Sequence, residues 1–268
     1  MNASAFSEPF TPRGVAVFAR AKFNRLLLAQ FIFATLAGLA VAWFFYHACF
    51  PAIQTAIDNL PPDSEINSGA LDWHGDSFSE LADGHFVAFD VDIIHSGQFR
   101  SAADLQVEFG HETVRIFSLF GYADFLYPPD EIISFNRPEL DPQWKAWRAV
   151  ILFIIILTTI FALLLSWWIL ATIYFLPVWL AGFFTNRDLD LRASWKLSGA
   201  ALLPGALLMT AGILFYGLGL PLVTFLFIFG AHFVLGWLYL FFGLAFLPRT
   251  SSVVPKGNPF KPGGKRES

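Results

Sequence analysis

Three stretches of this chain, residues 26–50, 149–184 and 197–247, contain no Asp, Glu, Lys or Arg. Their lengths predict helices that cross a lipid bilayer, because a hydrocarbon core of ~30 Å takes about 20 apolar residues as helix. The first supplies one span, over residues 26–49. The second is 36 residues long. As a continuous helix it would measure roughly 54 Å, more than one crossing needs. Pro177 and Gly182 are where it is expected to stop. That predicts a span over 149–176 and an interfacial link over 177–196. The third stretch is split by Gly217-Leu218-Gly219-Leu220-Pro221 into spans at 197–217 and 221–247. Pro204-Gly205 is expected to kink the first of these.

Between the first and second spans the period changes. Ile53, Ile57 and Leu60 recur at helical spacing as far as Pro61-Pro62. Then Val87, Phe89, Val91 and Ile93 alternate with Ala88, Asp90 and Asp92, and Leu105, Val107 and Phe109 alternate with Gln106 and Glu108. Period two predicts sheet with one wet face. Gly69, Gly84, Gly97 and Gly110 fall where turns belong. Residues 50–148 are therefore expected to hold a small β-rich domain, centred on 63–142, with Trp73, Phe117, Leu119 and Phe120 in its core. Trp144, Lys145, Trp147 and Arg148 mark the return to the bilayer. The fold class is an α-helical integral membrane protein, with four transmembrane helices and an inserted small β-rich extracytoplasmic domain.

Charge selects four crossings over five. Residues 1–25, the link before the third span and the segment after the fourth together hold 12 bases and 4 acids, whereas residues 51–148 hold 5 bases and 17 acids. Basic segments stay cytoplasmic, so both termini are expected inside a plasma (bacterial inner) membrane, with the acidic domain outside. Residues 1–25 are read as a cytoplasmic basic tail that lies along the inner leaflet or serves as a solvated anchor. The Pro/Gly/Lys-rich segment 248–268 is read as a disordered cytoplasmic tail. With 56% hydrophobic and 14% charged residues, a soluble globule is excluded. The single cysteine, Cys49, excludes an intrachain disulfide. Tyr and His at positions 46 and 47 are wrong for a lipidation site at Cys49, and the first apolar run is too long for a signal peptide.

Candidate chemistry is sparse. His232 is an ionisable residue deep in a span, where such groups are functional candidates. Thr158 and Thr159 lie near its depth, and so does the Pro204 kink, whose freed carbonyl neutral imidazole could satisfy. Ser198 sits roughly 20 Å away in depth by helical rise, too far to form a serine–histidine dyad with His232. Outside, Asp72, His74, Asp76, Asp83, His85, Asp90, Asp92 and His95 are the densest set of metal-ligand types, and Asp-x-His and Asp-x-Asp spacings put pairs on one strand face. No tight metal signature, phosphate-binding glycine loop or Gly-x-Ser-x-Gly occurs, and no basic patch for nucleic acid. No cofactor is expected. The expected partners are the bilayer and a protein partner or second copy.

The segments Ile66-x-x-Gly69-x-Leu71-x-Trp73, Phe86-Val87-Ala88-Phe89-Asp90, Ala103-Asp104-Leu105-x-Val107-x-Phe109 and Ile116-Phe117-Ser118-Leu119-Phe120-Gly121 carry a resemblance. In this order of parts the chain resembles a bacterial multi-pass membrane family associated with maltodextrin-utilisation loci and placed near Yip-type proteins. The resemblance implies one N-terminal span, an outer β domain and a helical block, and it assigns no catalytic residue. The expected function is that of a non-enzymatic membrane protein whose outer domain binds a partner or ligand. The alternative is a small transporter or transporter accessory subunit using His232 and the Pro204 kink. An enzyme would require metal in the acidic set.

Overall fold

The computed structural model describes residues 10–97 and 99–249; the expectations for the first nine residues and for the tail from residue 250 lie outside them. Among the described residues, four helical segments are long and apolar enough to cross a membrane: Phe23–Asp58, Arg137–Phe184, Leu191–Gly217 and Leu222–Ala245. In chain order the elements are α1 (Pro12–Arg20), α2 (Phe23–Phe44), a π-helical turn (Phe45–Cys49) and α3 (Phe50–Asp58). Strands follow: β1 (Glu65–Asn67), β2 (Ala70–Asp72), β3 (Phe78–Asp83), β4 (Val87–Asp92), β5 (Leu105–Phe109), β6 (Thr113–Ser118), β7 (Gly121–Leu126) and β8 (Ile133–Ser134). The chain ends in α4 (Arg137–Phe184), α5 (Leu191–Ala201), α6 (Leu203–Gly217) and α7 (Leu222–Ala245). These gather into two compact units.

The first unit draws on the described parts of Met1–Leu28, Ser166–Pro204 and Leu235–Ser268. Here α1 is capped by Thr11, whose hydroxyl accepts from the Gly14 N–H at 3.0 Å, with Pro12 in the first turn. Its apolar face packs within the chain. Val15, Phe18 and Ala19 are buried, and α1 packs on α5. Lys196 Nζ donates to the Ala21 carbonyl at 2.8 Å, and Arg20 pairs with Asp188 at 2.9 Å. Arg20 from this segment and Lys196 from α5 thus tie the two parts of the chain together.

The predicted stop at Pro177 is corrected, since α4 runs unbroken to Phe184. Proline removes a single N–H from the helical ladder, and apolar surroundings favour keeping the remaining bonds. The helix ends instead where Asn186 takes φ +52°. There Arg187 N–H bonds the Gly182 carbonyl at 2.8 Å and Asn186 N–H bonds that of Phe183 at 3.2 Å, the paired bonds of a Schellman cap. Asp190 then caps α5 by accepting from Ala193 N–H at 2.6 Å. The third predicted span is two helices, broken at Leu202, with Pro204 in the first turn of α6.

The second unit comprises Ala29–Leu165 and Gly205–Val234 and contains the β domain. One sheet has the order β2-β1-β8, the other β3-β4-β5-β6-β7. Ser68 (φ +52°) and Gly69 (φ +78°) form the tight turn between β1 and β2. The core sets Ala56 and Leu60, from the segment beyond the first span, against Ile66, Leu71, Leu81, Val91, Tyr127 and Phe135. The helical spacing through Leu60 has become α3 and the residues at its end. Buried Tyr127 donates to the Gly110 carbonyl at 3.0 Å. Tyr127→Phe leaves that carbonyl short of a partner and is expected to destabilise the domain by about 1–2 kcal/mol; an unchanged thermal midpoint would count against this bond.

Two expectations for the domain are corrected. β4 and β5 pair in parallel, so their connection, residues 93–104, must pass over one face of the sheet. The face expected to be wet is thereby covered: Asp90 is 0%, Glu108 1% and Asp92 2% exposed. Conversely, Leu119 and Phe120 are not core. They form the turn between β6 and β7, where Phe120 is 86% exposed and Leu119 57%.

Candidate functional site: the covered acidic face

Strand parity and register build this site. Asp90 on β4 stands opposite Glu108 on β5, Glu108 opposite Arg115 on β6, and Arg115 opposite Asp124 on β7. Glu80 on β3 flanks Asp90 on the other side. Ala88, Gln106, Phe117 and Tyr122 form the next row. Arg115 grips Asp124 through two bonds, Nε to Oδ1 at 2.7 Å and Nη2 to Oδ2 at 3.1 Å. Those bonds hold the Asp124 carboxyl below its ordinary range.

The connection over this face is held by the acids beneath it. Asp92 Oδ2 accepts from Ser96 Oγ at 2.6 Å and from Gly97 N–H at 3.1 Å. Burial pushes Asp92 up, but these bonds outweigh it and leave the carboxyl below its usual range. His95, in left-handed backbone at φ +51°, folds its ring inward. Its Nδ1 lies 2.5 Å from Glu108 Oε1 and its Nε2 lies 2.7 Å from Thr113 Oγ1. A hydroxyl both donates and accepts, so Thr113 suits either form of the ring. Gly110 leaves the space the imidazole fills, since a Cβ there would overlap it. Asp90 is less well served. Gln106 Nε2 donates to its Oδ1 at 2.8 Å, while Oδ2 has no partner among the described residues, and neither has Glu108 Oε2. Burial first, then the neighbouring charges of Glu108 and Asp92, raise the Asp90 carboxyl to about 7 against the Gln106 bond and the Arg100 charge.

The acidic set read from the sequence is dispersed. His74 lies 3.2 Å from Asp63 and 3.4 Å from Asp72 at the surface, while the Asp76 carbonyl accepts from Trp73 Nε1. Asp83 accepts from Ser101 Oγ at 2.5 Å, and His85 packs on Phe86 with ring centroids 4.6 Å apart. Beyond the surface pair of Asp72 and His74, only Asp90, Asp92 and His95 of this set gather, around Gln106 and Glu108. No group of three or more His, Cys, Asp or Glu among the described residues is arranged to hold a metal ion. Gln106, Glu108, Arg100 and Arg115 were missed, although Gln106 and Glu108 share the parity of Asp90 and Asp92.

In the helices, His232 does not satisfy a carbonyl freed by Pro204. Its Nδ1 bonds the Phe229 carbonyl of its own helix. Gly205 lies so close to the His232 carbonyl that an added Cβ would come within 2.6 Å of it. Thr158 and Thr159 make no bond to the imidazole, and Ser198 Oγ is buried without a partner among the described residues.

Comparison with protein-family models, curated proteins and solved structures finds no match.

Proposed function

We propose that the chain is a non-enzymatic, four-span protein of the bacterial inner membrane, with both termini cytoplasmic, whose extracytoplasmic β domain binds a partner or ligand. The observation carrying this reading is strand β7. It closes one edge of the five-stranded sheet, every one of its residues is exposed, and Tyr122, Phe125 and Leu126 project from it. An uncovered edge with apolar side chains invites pairing, and proteins that leave one bare use it or guard it. The charge asymmetry of the sequence supports the orientation.

Topology and binding are tested separately. In a Cys49→Ser background, Glu131→Cys is expected to react with an impermeant maleimide on intact spheroplasts, whereas Ser268→Cys should react only after permeabilisation. Labelling of both from one side defeats the orientation. A photoreactive residue at Phe125 should give one discrete adduct in intact membranes, absent when the same group replaces exposed Asp130. No adduct at Phe125 removes the binding reading.

The second reading, a small transporter or accessory subunit, draws on the close approach of Gly205 to the His232 carbonyl. It requires His232→Ala to abolish uptake, and unchanged flux ends it.

A further inference from the structure

The turn between β6 and β7 exposes Leu119 and Phe120, and the sheet register says at which end of the domain they lie. Parallel β4 and β5 begin at the same end. Antiparallel pairing puts Ser118 opposite Leu105 and Gly121 opposite Ser118, so the turn belongs to that end too. The same end meets the helices. Phe86, just before β4, packs against Phe44 at the end of α2 (5.2 Å between centroids) and Tyr216 near the end of α6 (5.1 Å). Asp104, just before β5, accepts from the Tyr216 hydroxyl at 2.5 Å. Leu119 also lines a pocket of about 330 Å³ with Leu222, the first residue of α7. The apolar turn thus stands level with the ends of apolar helices. Leu218, in the connection between α6 and α7, is likewise 72% exposed.

The pocket carries both charges. The Arg100 guanidinium lies 3.8 Å from the Phe117 ring centroid, and no carboxylate among the described residues forms an ion pair with it. Asp104 supplies the opposite charge, with one oxygen taken by Tyr216. Ser101 spends its hydroxyl on Asp83 and shapes the wall. A cation held on an aromatic face keeps its donors for a phosphate, and a carboxylate across the pocket suits an ammonium.

We propose that Leu119 and Phe120 sit in the headgroup layer of the leaflet on the β-domain side, and that the adjoining pocket holds a zwitterionic phospholipid headgroup. Its phosphate lies against Arg100 and its ammonium against Asp104. The acyl chains then follow the exposed apolar helix surface beyond Leu222. This names a ligand for the β domain and rests on the membrane reading above.

The test uses the full chain in nanodiscs containing phosphatidylethanolamine and phosphatidylglycerol, with a fluorophore on single cysteines in a Cys49→Ser background. A probe at Phe120→Cys is expected to be quenched by lipids spin-labelled near the headgroup. A probe at Phe161→Cys, on an exposed mid-helix position of α4, reports bilayer burial independently. A probe at Leu126→Cys, at the far end of β7 and about 20 Å away by strand rise, should respond only to aqueous iodide. Quenching by lipid at 161 with iodide quenching at 120 overturns this inference and leaves the membrane reading standing. Lipid quenching at neither position sinks the membrane reading itself. For the pocket, native mass spectrometry should find retained phosphatidylethanolamine reduced about tenfold or more by Arg100→Gln and by Asp104→Asn, each the loss of one charged partner. Unreduced retention, or equal retention of phosphatidylglycerol, overturns the headgroup assignment.

Discussion

Replacing His95 by Asn is expected to cost the β domain about 3–5 kcal/mol, because it removes one partner of a buried charge-capable pair and leaves the other enclosed. Glu108 is 1% exposed, its Oε1 lies 2.5 Å from His95 Nδ1, and its Oε2 has no partner among the described residues. Water cannot replace the imidazole while the 93–104 connection stays closed, so the connection is expected to open. Asn is chosen because it tolerates the left-handed backbone that His95 adopts at φ +51°. Any loss then reflects the missing ring and not backbone strain. Hydrogen exchange reads the effect locally: amides of β5 should exchange about a hundredfold faster or more. Adding Glu108→Gln should restore much of the loss, since a neutral amide costs less to enclose than a carboxylate. If H95N leaves β5 exchange unchanged, or the double variant is worse than the single, the pair does not hold the connection down.

How legible this was in the sequence follows from the length scale of each signal. The long apolar stretches needed only composition, and the described residues hold four helical segments long and apolar enough to cross a membrane, the second longer than expected and the third broken at Leu202. Period two located β4 and β5 almost to the residue. Alternation says that Asp90, Asp92, Gln106 and Glu108 share a face, but not whether anything covers it. That depends on β4 and β5 being parallel neighbours, which forces a crossover and is a long-range fact. The helix end at Asn186 was missed for a local reason: Pro177 is a strong breaker in water, and a cap through Asn186 carries no glycine to announce it. Phe120 was misplaced because hydrophobicity alone does not separate a core residue from one at a turn.

The pH dependence of the domain should carry the signature of Asp90, and Asp90→Asn should erase it. The group's ordinary value is 3.8, and burial lifts it to about 7 in the folded chain. Below about pH 3 both states hold the proton, and near pH 4, where the unfolded carboxyl is only half-way through its titration, burial still costs little. Between 4 and 7 the unfolded chain gives up its proton while the folded chain keeps it. The folded state then binds more protons, and stability falls as pH rises. Above about 7 the loss is complete. At about 1.4 kcal/mol per unit, it approaches about 4 kcal/mol. Burial sets the sign; of the groups facing Asp90, Gln106 and Arg100 lower the carboxyl while Glu108 and Asp92 add to the rise. Asparagine keeps an oxygen for the Gln106 amide and carries no charge. D90N should therefore match the parent near pH 4 and exceed it by a few kcal/mol at pH 8. The quantity to measure is the difference between the two proteins' denaturant midpoints across that range, which cancels the titration of distant groups. A difference that stays flat from pH 4 to 8 would mean that Asp90 ionises in the folded state as freely as in water.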